Sequence, residues 1–218
     1  MSSVGDIGCP HIGSDEAGKG DYFGPLVVAA AYADEVALTR LPQAGVKDSK
    51  RVTSLKRLWE LDKAVKQICP THEVVVVSPS RYNELMAAMK NLNRLLAWAH
   101  ARAIENLLAK IPECPLAVTD QFGDERILQQ SLMKRGRQVE LRQQVRAEAD
   151  PAVAAASVLA RAAFVRALER LSQEVGAELP RGATHVVPVG RRVYEKGGGA
   201  LLGRVAKLHF KTTKKVIA

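Results

Sequence analysis

Gly13-Ser14-Asp15-Glu16-Ala17-Gly18-Lys19-Gly20-Asp21-Tyr22-Phe23-Gly24-Pro25 is the stretch from which the fold is read. His11 to Ala17 has the character of a strand, and Gly18-Lys19-Gly20 ends it in a turn. From Pro25 to Tyr32 the chain is continuously apolar, which suits a central strand. Outward from there, Glu73 to Ser78 contains Val74-Val75-Val76-Val77, β-branched residues expected in a buried strand. The period then changes. Leu92, Leu95, Leu96, Ala99, Ile104, Leu107 and Leu108 trace one face of a helix over Asn91 to Lys110, stopped by Pro112 and Pro115. Leu116 to Asp120 and Gln138 to Arg146 read as two more strands. Asp150-Pro151 opens a long helix to about Val175, because Asp caps well and Pro suits the first helical position. Gly176 is its natural stop. Strands followed by strand–helix alternation predict an α/β fold, with a mixed central sheet flanked by helices.

The 218 residues suit one compact domain or one domain with a small appendage. With 32 Lys and Arg against 23 Asp and Glu, the net charge is +9. Such an excess favours a polyanionic partner, either nucleic acid or an anionic membrane surface. Much of it gathers from Val186 onward, where Arg191, Arg192, Lys196, Arg204, Lys207, Lys211, Lys214 and Lys215 face one acid, Glu195. We therefore expect a domain over 1–185 and a basic, partly helical extension over 186–218, interrupted at Gly197-Gly198-Gly199. Cys9, Cys69 and Cys114 are widely spaced and form neither a disulfide framework nor a zinc motif. Met1 to Pro10 lacks the basic start and apolar run of a signal peptide. Leu26 to Ala33 is too short to span a bilayer. These features lead us to expect a cytoplasmic protein.

The acids carry the chemical information. Asp15 and Glu16 end an apolar strand, Asp120 ends another, and Glu148 lies between a strand and the alanine-rich helix. Carboxylates beside apolar sequence are costly to desolvate, and crowded ones raise one another's pKa. Divalent cations relieve both problems, and hard oxygen donors select Mg²⁺ or Mn²⁺ over zinc. Two such ions about 4 Å apart can hold the attacking water and the leaving oxygen of a phosphodiester hydrolysis. Adjacent strand residues point to opposite faces, so Asp15 and Glu16 act together only if the regular strand stops at Glu16. The plainer alternative is that these acids are turn and capping residues.

As text, the run from Gly13 to Pro25 closely resembles the opening motif of bacterial ribonuclease HIII, within the type 2 ribonucleases H. Lys47-Asp48-Ser49-Lys50, Asn91-Leu92-Asn93, Thr119-Asp120, Ala154-Ala155-Ala156-Ser157 and Lys207-Leu208-His209-Phe210 follow in family order, covering roughly residues 11 to 212. The resemblance implies a ribonuclease H-like fold. It further implies a metal-dependent endonuclease that cuts the RNA strand of RNA–DNA hybrids by a two-metal-ion mechanism, leaving 5′-phosphate and 3′-hydroxyl ends. The metal-binding and catalytic acids map onto Asp15, Glu16, Asp120 and a fourth position. Glu148 is our choice there; Asp150 is the rival, set aside because it precedes Pro151 and caps the helix. By analogy Asp15 bridges both metals, Asp120 and Glu148 share the one that activates water, and Glu16 takes the one near the scissile phosphate.

Substrate contacts follow from the same resemblance. Gly18, Lys19 and Gly20 would lie along the minor groove and sense the 2′-OH; Lys19 could equally be a solvated turn lysine. Lys47 and Lys50 would grip phosphates or form a surface charge cluster. Asn93 is a hybrid-backbone contact or an ordinary helix-start asparagine. Ser157 is close helix packing or a substrate contact, and Lys207 belongs to the basic segment. His209 would assist proton transfer or product release, or pack structurally beside Phe210. The family usually carries an amino-terminal substrate-binding domain, and here about ten residues precede the first strand, so either this is a family member without it or the basic C-terminal segment compensates. The partner expected is an RNA–DNA hybrid, met by a monomer without a membrane. The alternatives are incision at single ribonucleotides in duplex DNA, as in ribonuclease HII, and an inactive hybrid-binding module.

Overall fold

The structure, a computed structural model, describes residues 8–46, 54–121, 125–132, 136–145 and 147–218. In chain order its elements are β1 (His11–Ala17), β2 (Leu26–Ala33), α1 (Glu35–Gln43), α2 (Leu55–Ile68), β3 (His72–Val77), α3 (Pro79–Met89), α4 (Leu92–Leu108), β4 (Leu116–Asp120), α5 (Glu125–Ser131), β5 (Glu140–Gln144), α6 (Pro151–Val175), α7 (Val187–Val205) and α8 (Thr212–Ile217). The five strands form one sheet in the order β3-β2-β1-β4-β5. β1 pairs parallel with β4, and β4 parallel with β5. β2 returns beside β1 after a connection far too short for a parallel crossover, so that pair is antiparallel and the sheet is mixed.

β2 lies inside the sheet and is buried along nearly its whole length, as its apolar run predicts. β3 departs from expectation. It is a strand, but it sits at the sheet edge, half-buried, with Val76 exposed. A β-branched run encodes an extended backbone, not a position in the strand order.

Two compact units are distinguished: the first comprises Met1–Glu16, Val28–Val75 and Asn93–Ala162, the second Ala17–Val27, Val76–Leu92 and Ala163–Ala218. In the first, α4 covers one face of the sheet: Ile12 and Ala117, register partners on β1 and β4, share a core with Ala97, Ala101, Ile104 and Leu108. The start of α6 covers the opposite face, where Val153 packs with Leu116 and Val118. Asp150 caps α6 as expected, its Oδ1 accepting from the Ala152 and Val153 amides at 2.9 and 3.0 Å. Its Oδ2 accepts from buried His11 Nε2 at 2.9 Å. Both oxygens are therefore engaged in holding the helix start against β1. α6 is long and apolar enough to cross a membrane, yet 78% of its most apolar window is buried inside the protein, as in the core helix of a soluble fold.

In the second unit, residues expected to form an appended extension group with 17–27 and 76–92. α7 bends at Gly197 and Gly198, whose backbone angles are not helical, and Gly190 receives Val216 of α8. Asn83 on α3 binds the end of α7 through the Gly203 and Ala206 carbonyls at 3.1 and 2.9 Å.

Candidate active site

Alternation along β1 sorts its side chains between two helices. Gly13 meets the backbone of Ala152 and Val153 at the start of α6, and Asp15, two residues on, accepts a hydrogen bond from the Ser157 hydroxyl of the same helix. Ser14 and Glu16 turn the other way, and both meet His100 of α4. β4 follows the same rule. Thr119 is the register partner of Ser14 and also faces His100, so Asp120 lies on the α6 face beside Asp15. Adjacent strands run about 5 Å apart, so the two aspartates stand on neighbouring strands of the same face. The regular strand continues to Ala17 rather than stopping at Glu16. Glu16 is thus on the opposite face from Asp15, though near enough for its charge to act on Asp15.

The segment carrying Glu148 adjoins Asp120. Glu148 lies in a single 3-10 turn, Ala147–Ala149, and the Ala147 amide donates to Asp120 Oδ1 at 3.2 Å. Asp15 is 8% exposed. Burial first, and the neighbouring Glu16 carboxylate second, push its carboxyl up to about 6, against hydrogen bonds from Ser157 and the Glu16 amide that favour the charge. A buried oxygen donor whose ionisation is opposed in this way is the chemistry that a hard divalent cation relieves. Among the described residues, no three His, Cys, Asp or Glu side chains already stand together around one point.

Ser157 is buried and turned onto Asp15. Asn93 lies partly exposed in the first turn of α4. Lys47 and Lys50 fall outside the described residues. In the second unit, Gly18 has φ +84°, and a β-carbon there would overlap the Pro25 carbonyl oxygen, so the turn requires glycine. Lys19 is partly exposed and Gly20 exposed. His209 is exposed at the end of an aromatic row, its ring centroid 5.4 Å from Tyr82 and 4.6 Å from Phe210. Partial burial and then the nearby Lys207 charge lower its pKa.

Lys207, placed with the basic segment among the expected substrate contacts, is buried rather than displayed at the surface. It is 0% exposed, and its ammonium donates to the Asp21 and Gly24 carbonyls at 2.8 and 2.6 Å. The Lys207 amide donates to the Tyr22 carbonyl, and the Gly182 amide to Asp21 Oδ1. The loop after Gly20 is thereby clamped, and Lys207 is one jaw. Burial lowers the Lys207 pKa to about 7, opposed by the charge of Asp21. The unfolded chain then binds a proton that the folded chain has released, so this residue makes stability rise between about pH 7 and the ordinary lysine range. Lys207→Met leaves two carbonyls without their donor, at about 1–3 kcal/mol each. We expect the wild-type advantage over this variant in urea unfolding to grow from about pH 7 to about pH 10. An advantage independent of pH would contradict the assignment.

His100 is the site residue that the sequence reading passed over. It is fully buried. The available signal was a polar residue four positions from both Leu96 and Ile104, inside an apolar helical stripe.

With the geometry in hand, comparison with known proteins defines the class. The family model described as Ribonuclease HII matches residues 12–213, and the chain belongs to that family of ribonuclease H endonucleases. Within it, the chain is similar to proteins named ribonuclease HIII. It is 43% identical over 209 residues to that of Protochlamydia amoebophila, covering 95% of this chain and 68% of the relative, and 42% identical to that of Chlamydia abortus, covering 93% and 68%. Among solved structures, Bst-RNase HIII in complex with Mn²⁺ superposes with a TM-score of 0.90 at 33% identity, covering 98% of this chain and 70% of that one. The chain thus spans about two thirds of the length of the curated relatives it matches.

Proposed function

We propose that this chain hydrolyses the RNA strand of RNA–DNA hybrids, leaving 5′-phosphate and 3′-hydroxyl ends. Asp15, Glu16, Asp120 and Glu148 would hold two divalent cations, Mg²⁺ or Mn²⁺. The observation that carries this reading is the pair of aspartates at the ends of adjacent parallel strands, with the Glu148 turn hydrogen-bonded to Asp120. The donor set is all oxygen, which fits these ions, and a relative of the same fold is a Mn²⁺ complex. When bound, such cations supply a Lewis acid and lower the pKa of a coordinated water. The chain's own part is positional. Ser157 and the Glu16 amide orient the Asp15 carboxylate, and the Ala147 amide orients that of Asp120.

The hybrid would be drawn by the net charge of +9 and gripped by exposed cations of the 186–218 segment, among them Arg192, Lys211, Lys214 and Lys215. Lys19 and the open backbone at Gly20 would approach the minor groove, where the 2′-OH marks RNA. We place the enzyme in the cytoplasm, acting as a monomer away from membranes. A gel assay with Mg²⁺ or Mn²⁺ tests the substrate class. Hybrids with several ribonucleotides should be cut and plain DNA left intact. Incision confined to a duplex with a single ribonucleotide would move the chain to the HII type, and binding without cleavage would leave an inactive binding module.

A further inference from the structure

We propose that His100 is a positioning residue for the acidic site, one ring that sets Glu16 and ties together the ends of both acid-bearing strands. The inference rests on the metal-binding role proposed above for Glu16. His100 stands on α4 with no exposure, and its ring nitrogens reach three side chains. Nε2 lies 3.2 Å from Glu16 Oε2, Nδ1 2.9 Å from Ser14 Oγ, and Nδ1 3.4 Å from Thr119 Oγ1. A carboxylate only accepts, so Nε2 carries the hydrogen and donates to Glu16. In the neutral ring Nδ1 is then left to accept from the Ser14 hydroxyl. Ser14 and Thr119 are fully buried register partners, and each immediately precedes an aspartate of the proposed site. Rotation of the ring would therefore disturb Glu16 directly and the Asp15–Asp120 pair through the backbone. Strand alternation directs Glu16 away from the α6 face where Asp15 and Asp120 lie and toward His100.

The test separates the two ends of the ring. In His100→Gln the amide nitrogen can occupy the place of Nε2 and keep the Glu16 contact. In His100→Asn the shorter amide reaches only the place of Nδ1. Both replace a buried ring by a buried amide, so a merely structural histidine predicts similar losses in both. Titrating Mn²⁺ against the thermal midpoint of each protein reads ion affinity without activity. We expect His100→Asn to weaken the apparent Mn²⁺ affinity about tenfold or more, and His100→Gln to stay within about threefold of wild type. In cleavage assays over a range of hybrid concentrations, His100→Asn should lower kcat with little change in KM. A folded His100→Asn protein with wild-type Mn²⁺ response and kcat overturns the proposal, as do equal losses in the two variants. Should neither fold, Ser14→Ala removes one anchor of the ring without added volume. A weakened Mn²⁺ response is then expected, and an unchanged one overturns the proposal. Asp15→Asn is the companion control: if it too leaves the Mn²⁺ response intact, the metal reading itself fails, whereas loss there with none at His100 sinks the present inference alone.

Discussion

Asp15→Asn is expected to lower hybrid cleavage by about 10³-fold or more, equivalent to ~4 kcal/mol of transition-state stabilisation, while hybrid binding survives. The same substitution should stabilise the metal-free protein. The Asp15 carboxyl is held up to about 6 by burial and by Glu16. The folded chain therefore binds a proton between the ordinary aspartate range and about pH 6 that the unfolded chain has released, and stability falls as pH rises through that window. Asparagine keeps an acceptor for Ser157 without the charge. Its advantage in urea unfolding with EDTA present should be small near pH 4 and reach at most about 3 kcal/mol near pH 8. A variant that is inactive but no more stable at high pH would show that Asp15 is not opposed in its ionisation. Glu148→Gln should also lose cleavage. Asp150→Ala should instead lose stability, since its carboxylate caps α6 and pairs with His11.

The second large effect is structural. A β-carbon added at Gly13 would overlap the Ala152 carbonyl carbon and the Val153 nitrogen, both backbone atoms of the α6 start. Backbone cannot rotate aside as a side chain can, so Gly13→Ala must push α6 off β1, at about 3 kcal/mol or more. The residues displaced include Asp150, with its His11 contact, and Ser157, with its contact to Asp15. Gly20→Ala is the control. Its β-carbon meets open space, and it should change the urea midpoint by no more than about 0.5 kcal/mol allows. Equal behaviour of the two variants would contradict the close approach of β1 to α6.

What could be read from the sequence was whatever local signals encode. Asp150-Pro151 marks the start of α6 because capping and the proline constraint act within a few residues. Leu116 to Asp120 is β4 to the residue. The acids were singled out because carboxylates beside apolar strands are unusual and because the run from Gly13 to Pro25 is distinctive text. The edge position of β3 was not legible, since a valine run does not say how many neighbours the strand has. Nor was the burial of Lys207, because its partners Asp21 and Gly24 lie far away in the chain. His100 was hidden for the same reason. Ser14, Glu16 and Thr119 come to it from two strands, and only the parallel pairing of β1 with β4 brings them together. Glu16 shows where pattern reasoning erred, for the strand runs through it to Ala17 and its place on the far face has to be managed by a neighbour.

The most direct measurement is cleavage of a labelled RNA–DNA hybrid by the wild-type chain across a titration of Mn²⁺ or Mg²⁺, ending in excess EDTA. Cutting that appears with the cation, saturates, and vanishes completely under chelation is the result expected of carboxylates that act by holding metal. Undiminished cutting in excess EDTA would contradict it.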